Sequence, residues 1–413
     1  MDAIRLLTFS TLYPNNVQPN HGVFVENRLR HLIASHRVES VVVAPVPYFP
    51  STSAMFGGWS RYARVTRHEL RHGLTVHHPR YAAIPRVGTP VAPFLLYRGA
   101  LRAIRGLMRE GLRFDAIDAH YLYPDGVAAT WLAQRLGCPV VLTARGSDVT
   151  QLPDQRIPRL LIRRAIARAD ALIAVSAAIG QALTTLGAPD EKVHVLRNGV
   201  DCTIFRPVDR AAARAALGLT RTTLLSVGHL IPRKGHHLVV EAMAELPDCD
   251  LVIVGDGPER EALRALIARC GLGGRVRLLG AQPHADLPRF YTAADALVLA
   301  SSREGWANVL LEAMACGTPV IASNIPGNPE VVQRREAGRI LRANTLDGIA
   351  AAARELLADP PDRAATRAYA SGYSWDATSA GQFALFAGLV RPAAPRIRVP
   401  GAITAHHAVS GAE

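Results

Sequence analysis

The chain has 413 residues, 49% of them apolar, and 47 lysines and arginines against 34 acids give a net charge of +13. That length supports two substantial domains with separate cores, and no run approaches the roughly 18 apolar residues that span a bilayer, which excludes a membrane-spanning class in favour of a soluble or peripheral one. The five cysteines (Cys138, Cys202, Cys249, Cys270, Cys316) are scattered, odd in number and without a CxxC pair, so they support neither a disulfide framework nor a zinc site and point to a reducing cytoplasm.

Residues 1–10 lack the basic stretch and apolar core of a secretory leader. From there strand-like runs alternate with helical ones, which predicts an α/β fold with parallel sheets covered on both faces. In the first half strands are expected over 4–9, 40–44, 116–119, 140–143, 171–175 and 193–196, with helices over 23–35, 127–136, 156–168 and 177–186. Between Arg61 and Arg113 stand eleven arginines (Arg61, Arg64, Arg67, Arg71, Arg80, Arg86, Arg98, Arg102, Arg105, Arg109, Arg113) and only two acids, Glu69 and Glu110. Such a face suits anionic lipid headgroups or an anionic acceptor, and an ordinary solvated basic face fits as well. No nucleic-acid-binding motif accompanies it.

After Asn198-Gly199-Val200-Asp201 the pattern restarts, with strands expected over 222–227, 251–254, 276–279, 296–300 and 319–322. The domains are therefore drawn as 1–200 and 201–372, two doubly wound units facing a cleft that is the default binding site. A last helical segment opens at Tyr373-Ser374-Trp375, and the tail 391–413, rich in proline and small residues, reads as disordered.

Residues 301–321 carry the densest chemistry. The apolar run 296–300 ends in Ser301 and Ser302, so a buried strand runs into a polar loop before Asn308, a good N-cap, opens a helix through Ala315 that Gly317 closes. Glu304 then lies at the carboxyl end of a strand and Glu312 about one turn inside the helix, where open α/β sheets hold ligands. The first-turn amides, flanked by small Gly305 and Ala307, suit a phosphate, with roughly 0.3–2 kcal/mol from the helix dipole. Two acids and an anion-binding turn suggest a polyhydroxylated phosphate ester; a helix-face acid and an ordinary cap satisfy the same spacing.

A second seat follows the first strand of the second half. Val227-Gly228-His229-Leu230-Ile231-Pro232-Arg233-Lys234-Gly235 leads into a helix expected over 236–244, and strand, glycine turn, cations and helix start together make a phosphate seat. Lys234, one of only two lysines in the chain, can neutralise one diphosphate oxygen and Arg233 can fork across two. Val254-Gly255-Asp256-Gly257-Pro258 reads first as a change of direction. In the first half, Gly22 of Asn20-His21-Gly22-Val23-Phe24 can admit a ligand oxygen near backbone amides. Asp118-Ala119-His120 and Thr143-Ala144-Arg145-Gly146-Ser147-Asp148 end strands on the same rim.

With these residues in view, the chain resembles the family 4 retaining glycosyltransferases of GT-B fold over residues 4–390, most strongly in the Glu304-x7-Glu312 segment and the Ala313-Met314-Ala315-Cys316-Gly317-Thr318-Pro319-Val320 that follows. The resemblance implies two Rossmann-like domains about a central cleft and a C-terminal helix, 373–390, crossing back to the first. It implies Glu304 beside the transferred sugar, Glu312 on the nucleotide ribose, Gly305, Trp306, Ala307 and Asn308 as the loop holding sugar and phosphate, Lys234 on the diphosphate and His120 near the donor sugar's hydroxymethyl group. The opening, Thr11-Leu12-Tyr13-Pro14-Asn15-Asn16 through Glu26, is similar to exopolysaccharide and teichuronic-acid-type members. Two positions depart: the family usually has Arg at His229, so Arg233 takes part of the diphosphate grip, and often has His at Arg145, which sets the acceptor side, Arg145 and Asp148, apart.

The expectation is a glycosyltransferase that moves a sugar from a nucleoside diphosphate-sugar donor to a glycan or lipid-linked hydroxyl acceptor with retention. The resemblance implies that no metal is needed, and places the enzyme in exopolysaccharide or cell-surface glycan synthesis, in the cytoplasm or on the inner membrane face. A sugar-nucleotide epimerase or phosphorylase of the same fold, or a non-catalytic nucleotide-sugar-binding scaffold, are the alternatives.

Overall fold

The computed structural model describes residues 3–84 and 88–390; the tail 391–413, expected to be disordered, and Arg86 of the basic cluster lie outside them. Strands such as Ala116–His120, Val140–Ala144 and Ala171–Ala174 are buried at every position, as strands covered on both faces must be. They belong to an eight-stranded sheet in the order Val193–Val195, Ala171–Ala174, Val140–Ala144, Ala116–His120, Ile4–Phe9, Val38–Val43, Leu74–His77, His68–Arg71, parallel except for its last pair. A second sheet of six parallel strands runs Val276–Leu278, Cys249–Val254, Thr222–Val227, Ala296–Leu299, Val320–Ala322, Gly338–Ile340. The fold is two Rossmann-like α/β domains, and fully buried Leu7, Ile117, Leu142, Leu297 and Leu310 lie in their packed cores, each such side chain contributing about 1.5–3 kcal/mol.

Helices Val23–Ser35, Val127–Leu136 and Arg156–Arg168 take the limits that their apolar spacing predicts. The hairpin His68–Arg71 and Leu74–His77 was not expected, because most of its residues are polar and six of its eight positions are exposed or partly so. Within the basic cluster, helix Ala92–Arg109 buries Pro93, Leu96, Ala100, Ile104 and Leu107 at helical spacing, which leaves Arg98, Arg102, Arg105 and Arg109 on other faces. No helix among the described residues is long and apolar enough to cross a membrane.

Both sheets reverse strand order next to a strand that opens its domain. In the second, the reversal falls between Thr222–Val227 and Ala296–Leu299, so the loops that follow these strands flank one crevice at their carboxyl ends. The domains are stitched together there. The Glu330 carboxylate accepts from the Ala177 and Ala178 amides (2.8 and 3.0 Å) at the start of helix Ala177–Thr185 and pairs with Arg197 at 2.8 Å. The final helix, Trp375–Val390, lies against Val23–Ser35, with Trp375 stacked on His31 at 5.3 Å.

Candidate active site

Two strand-to-helix turns meet at the second domain's crevice. Lys234 ends a tight turn, Pro232–Lys234, and its Nζ donates to Glu304 Oε1 at 2.6 Å; Ser301 Oγ donates to the same oxygen at 2.7 Å. The Arg233 guanidinium lies 3.5 Å from Glu304 Oε2 and donates to the Arg303 carbonyl at 2.8 Å. The Ser302 amide donates to the Arg233 carbonyl at 2.8 Å, so the backbone locks the two turns together before any side chain meets. The glycine turn 255–257 backs this seat through Gly228 N to the Val254 carbonyl and Leu230 N to the Asp256 carbonyl, both 3.0 Å.

The helix bearing Glu312 spans Asn308–Ala315, and Asn308 is its first residue rather than its cap. The expected N-cap fails because Asn308 Oδ1 accepts from Asn198 Nδ2 of the first domain at 3.2 Å; no side chain caps this end, so the first-turn amides remain open to an anion. Glu312 stands apart from the Lys234–Glu304 cluster. Its Oε2 accepts from Tyr291 Oη at 2.8 Å, and Oε1 lies 3.8 Å from His284 Nε2. The Glu312 carboxylate raises the His284 pKa, while burial, helped by the Glu312 charge, drives Tyr291 well above its ordinary value.

Gly305 contributes by lacking a side chain, since a Cβ there would lie 1.8 Å from the Arg145 carbonyl; the first domain's loop rests directly on it. Trp306 and Ala307 are buried, and of the two Trp306 lines the smaller of two cavities. His229 is exposed, with Nδ1 against the Asp256 carbonyl, and walls a cavity of about 1080 Å³ that also reaches Thr11, His21, Asp256 and Gln282 across both domains. Glu304, Gly305, Asn308, Arg145 and Tyr121 wall a second, of about 360 Å³.

The first-domain expectations change in detail. Gly22, buried at φ 70°, has the Leu12 carbonyl 2.3 Å from where a Cβ would start; its need for glycine is met by that turn rather than by a ligand. Asp148 turns inward from the acceptor side, because its carboxylate satisfies the amides of Leu122, Arg145 and Gly146 at 2.7–3.2 Å. His120 is fully buried; its Nδ1 faces Arg145 at 2.8 Å and its Nε2 lies 3.3 Å from Asp118 Oδ2, too oblique for a full hydrogen bond. Arg145, not His120, walls the smaller cavity.

Several contributors escaped the sequence reading. Arg28 donates to Gln382 Oε1 (2.8 Å) and Gln382 donates to Asp118 (3.0 Å), tying the last helix to the strand under His120. Asp125 accepts from the amide and hydroxyl of Thr11, holding the loop above the larger cavity. Tyr291 and His284 gave no local signal; Asn198 gave one, an Asn-Gly pair, which reads only as a turn. Among the described residues no group of three or more His, Cys, Asp or Glu is placed to hold a metal ion.

Residues 209–372 match the family described as Glycosyl transferases group 1, and residues 21–204 match Glycosyltransferase Family 4. The D-inositol 3-phosphate glycosyltransferases of Segniliparus rotundus and Thermobispora bispora are 34% and 33% identical to the chain, over 71% and 76% of it and 70% and 79% of themselves. Among solved structures, sucrose-phosphate synthase (tll1590) from Thermosynechococcus elongatus superposes with a TM-score of 0.77 at 22% identity over 94% of this chain and 99% of that one. Anabaena Alr3699/HepE in complex with UDP-glucose gives 0.70 at 19%, over 93% and 99%.

Proposed function

The chain belongs to the group 1, family 4 glycosyltransferases, enzymes of GT-B fold that use nucleotide sugars, and from that premise we propose that it transfers a hexosyl group, with retention, to a hydroxyl of a cell-surface glycan or its lipid-linked precursor. One observation carries the reading: Lys234, Arg233 and Glu304 converge beside an uncapped helix start at the point where the sheet reverses.

Lys234 and Arg233, with the Asn308 turn, face charge that grows on a departing diphosphate, the term that usually dominates such catalysis. Before substrate arrives, Glu304 faces both cations, bonded to Lys234 and 3.5 Å from Arg233; a diphosphate takes them over and leaves Glu304 to accept hydroxyls of the sugar. Glu312, steadied by Tyr291, serves the ribose. The acceptor's proton passes to a phosphate oxygen of the leaving group on the same face, which needs no protein nucleophile and no metal. Domain contacts through Glu330 and Asn308 exclude water from the closed site.

The basic face of the first domain supports an inner-membrane location. Arg80, Arg98, Arg102, Arg105 and Arg109 line a groove of about 710 Å³ with Tyr81, and Tyr81 also walls the cleft. Phe94, on that groove's edge, is 48% exposed, so cationic and apolar groups together fit an anionic bilayer surface.

The test is a panel of UDP-, GDP- and ADP-sugars read first by thermal stabilisation, since a ligand raises apparent stability by mass action, and then by the anomeric configuration of the product in NMR. One donor is expected to stabilise and to give product of unchanged configuration. Inverted product refutes retention, and a sugar altered without any acceptor makes the protein an epimerase.

A further inference from the structure

The Arg145 guanidinium has no carboxylate in direct contact, although the charges of Asp118 and Asp148 act on it from nearby. It follows the buried strand Val140–Ala144 and is half-buried in the wall of the 360 Å³ cavity, opposite Glu304 and Asn308. NH1 donates to Asn198 Oδ1 at 3.2 Å and NH2 to His120 Nδ1 at 2.8 Å, while Nε is buried with no partner. The Phe24 ring lies 4.9 Å from Cζ and fixes the plane of the guanidinium. Among the described residues no carboxylate lies within 4.0 Å of it, although lesser-buried arginines such as Arg71, Arg197 and Arg210 each pair with one. Burial and the nearby Arg28 bring its pKa down to about 9, which leaves it charged at neutral pH and held at an energetic cost that a nearby anion relieves.

The same contacts settle the state of His120. A guanidinium only donates, so Nδ1 of His120 accepts and its proton sits on Nε2, toward Asp118; burial lowers the imidazole's pKa and keeps it neutral. Both nitrogens are thus turned toward protein, and the group presented to the cavity from this wall is the guanidinium. The remaining charged residues of the wall are Arg233, Arg303 and Glu304, and Glu304 is already engaged by Lys234. Once a diphosphate takes Lys234 and Arg233 and releases Glu304, two cations, Arg145 and Arg303, still stand against that one carboxylate in the wall.

We propose that this chamber selects a sugar or polyol bearing a carboxylate or phosphate, and that Arg145 is the residue that determines this specificity. The inference rests on the transfer reading above and adds the charge of one substrate to it. A planar fork matches a carboxylate or phosphate in a way that an imidazole does not. The anionic group has two possible carriers, a uronic acid as the transferred sugar or a phosphorylated hydroxyl compound as acceptor.

Calorimetry on the full chain separates them. The donor arm compares UDP-glucuronate with UDP-glucose and GDP-mannuronate with GDP-mannose; the acceptor arm compares D-inositol 3-phosphate with inositol in the presence of the nucleotide that binds. One arm is expected to favour its charged member by about tenfold or more, the equivalent of one charge-assisted hydrogen bond. Arg145→Gln, which can still bond Asn198, should erase that preference, and Arg145→Lys should keep part of it; melting of both variants near the parent temperature secures the comparison, and if Gln fails to fold the Lys variant and the parent's own preference decide. Charged and neutral members binding within about twofold in both arms, or an undiminished preference in Arg145→Gln, overturns the proposal. If UDP, GDP and ADP all fail to bind, the transfer reading falls and this inference falls with it; if a nucleotide binds without charge preference, only this inference falls.

Discussion

Lys234 Nζ and Glu304 Oε1, 70 residues apart in the chain, meet at 2.6 Å with their side chains 15% and 9% exposed. On the proposed transfer reading, an entering diphosphate competes with the carboxylate for this ammonium. Lys234→Ala should therefore lower kcat by about 10²–10³ fold, the usual cost of losing one preorganised donor, while the fold is retained. Glu304→Gln should impair transfer more than nucleotide binding. Near-normal turnover in Lys234→Ala would remove the diphosphate role.

Glu312 is separate from that pair and bonded to Tyr291. Replacing it with Ala should weaken nucleotide binding by roughly 1–3 kcal/mol, the cost of removing a buried hydrogen-bond partner. Titration with UDP measures it. Loss of transfer with unchanged nucleotide affinity would mean that the roles of Glu304 and Glu312 are exchanged.

Asp125 gives a pH dependence of stability. Burial raises its pKa from 3.8 to about 7, against the lowering effect of the two hydrogen bonds from Thr11. A carboxyl with a raised folded-state pKa binds more protons folded than unfolded between those values, so its contribution to stability falls as pH rises from about 4 to about 7 and is level outside that window. Asp125→Asn should flatten this segment of a denaturant-derived stability curve. An unchanged slope would place the titration elsewhere.

The arginine groove predicts selective membrane contact. The protein should float with vesicles containing phosphatidylglycerol and not with pure phosphatidylcholine, and binding should fall steeply between low and physiological salt. Charge reversal at Arg98, Arg102 and Arg105 together should abolish flotation while donor binding persists. Equal binding to both vesicle types would show that the face is merely solvated.

Much of this was legible along the chain because it depends on neighbours. The strands 4–9 and 222–227 are apolar runs bounded by polar turns and appear where expected, and the turns carrying Lys234 and Glu304 follow buried strands, as ligand loops of such sheets do. Asn308 shows the limit of that logic: its cap preference is local, and a first-domain amide outcompetes it.

The order of apolar and polar residues determined two α/β domains and the two strand-to-helix turns that carry Lys234 and Glu304, since periodicity and turn chemistry act over a few residues; the meeting of those two side chains, 70 residues apart, was the fold's. Tertiary structure alone decided that Asp148 faces inward, that Arg145 rather than His120 walls the chamber, and that Gln382 reaches Asp118 across 264 residues and Arg28 across 354. Those contacts satisfy buried polar groups, and a buried group's partner is set by which strands the fold lays side by side, for which the linear sequence carries no period.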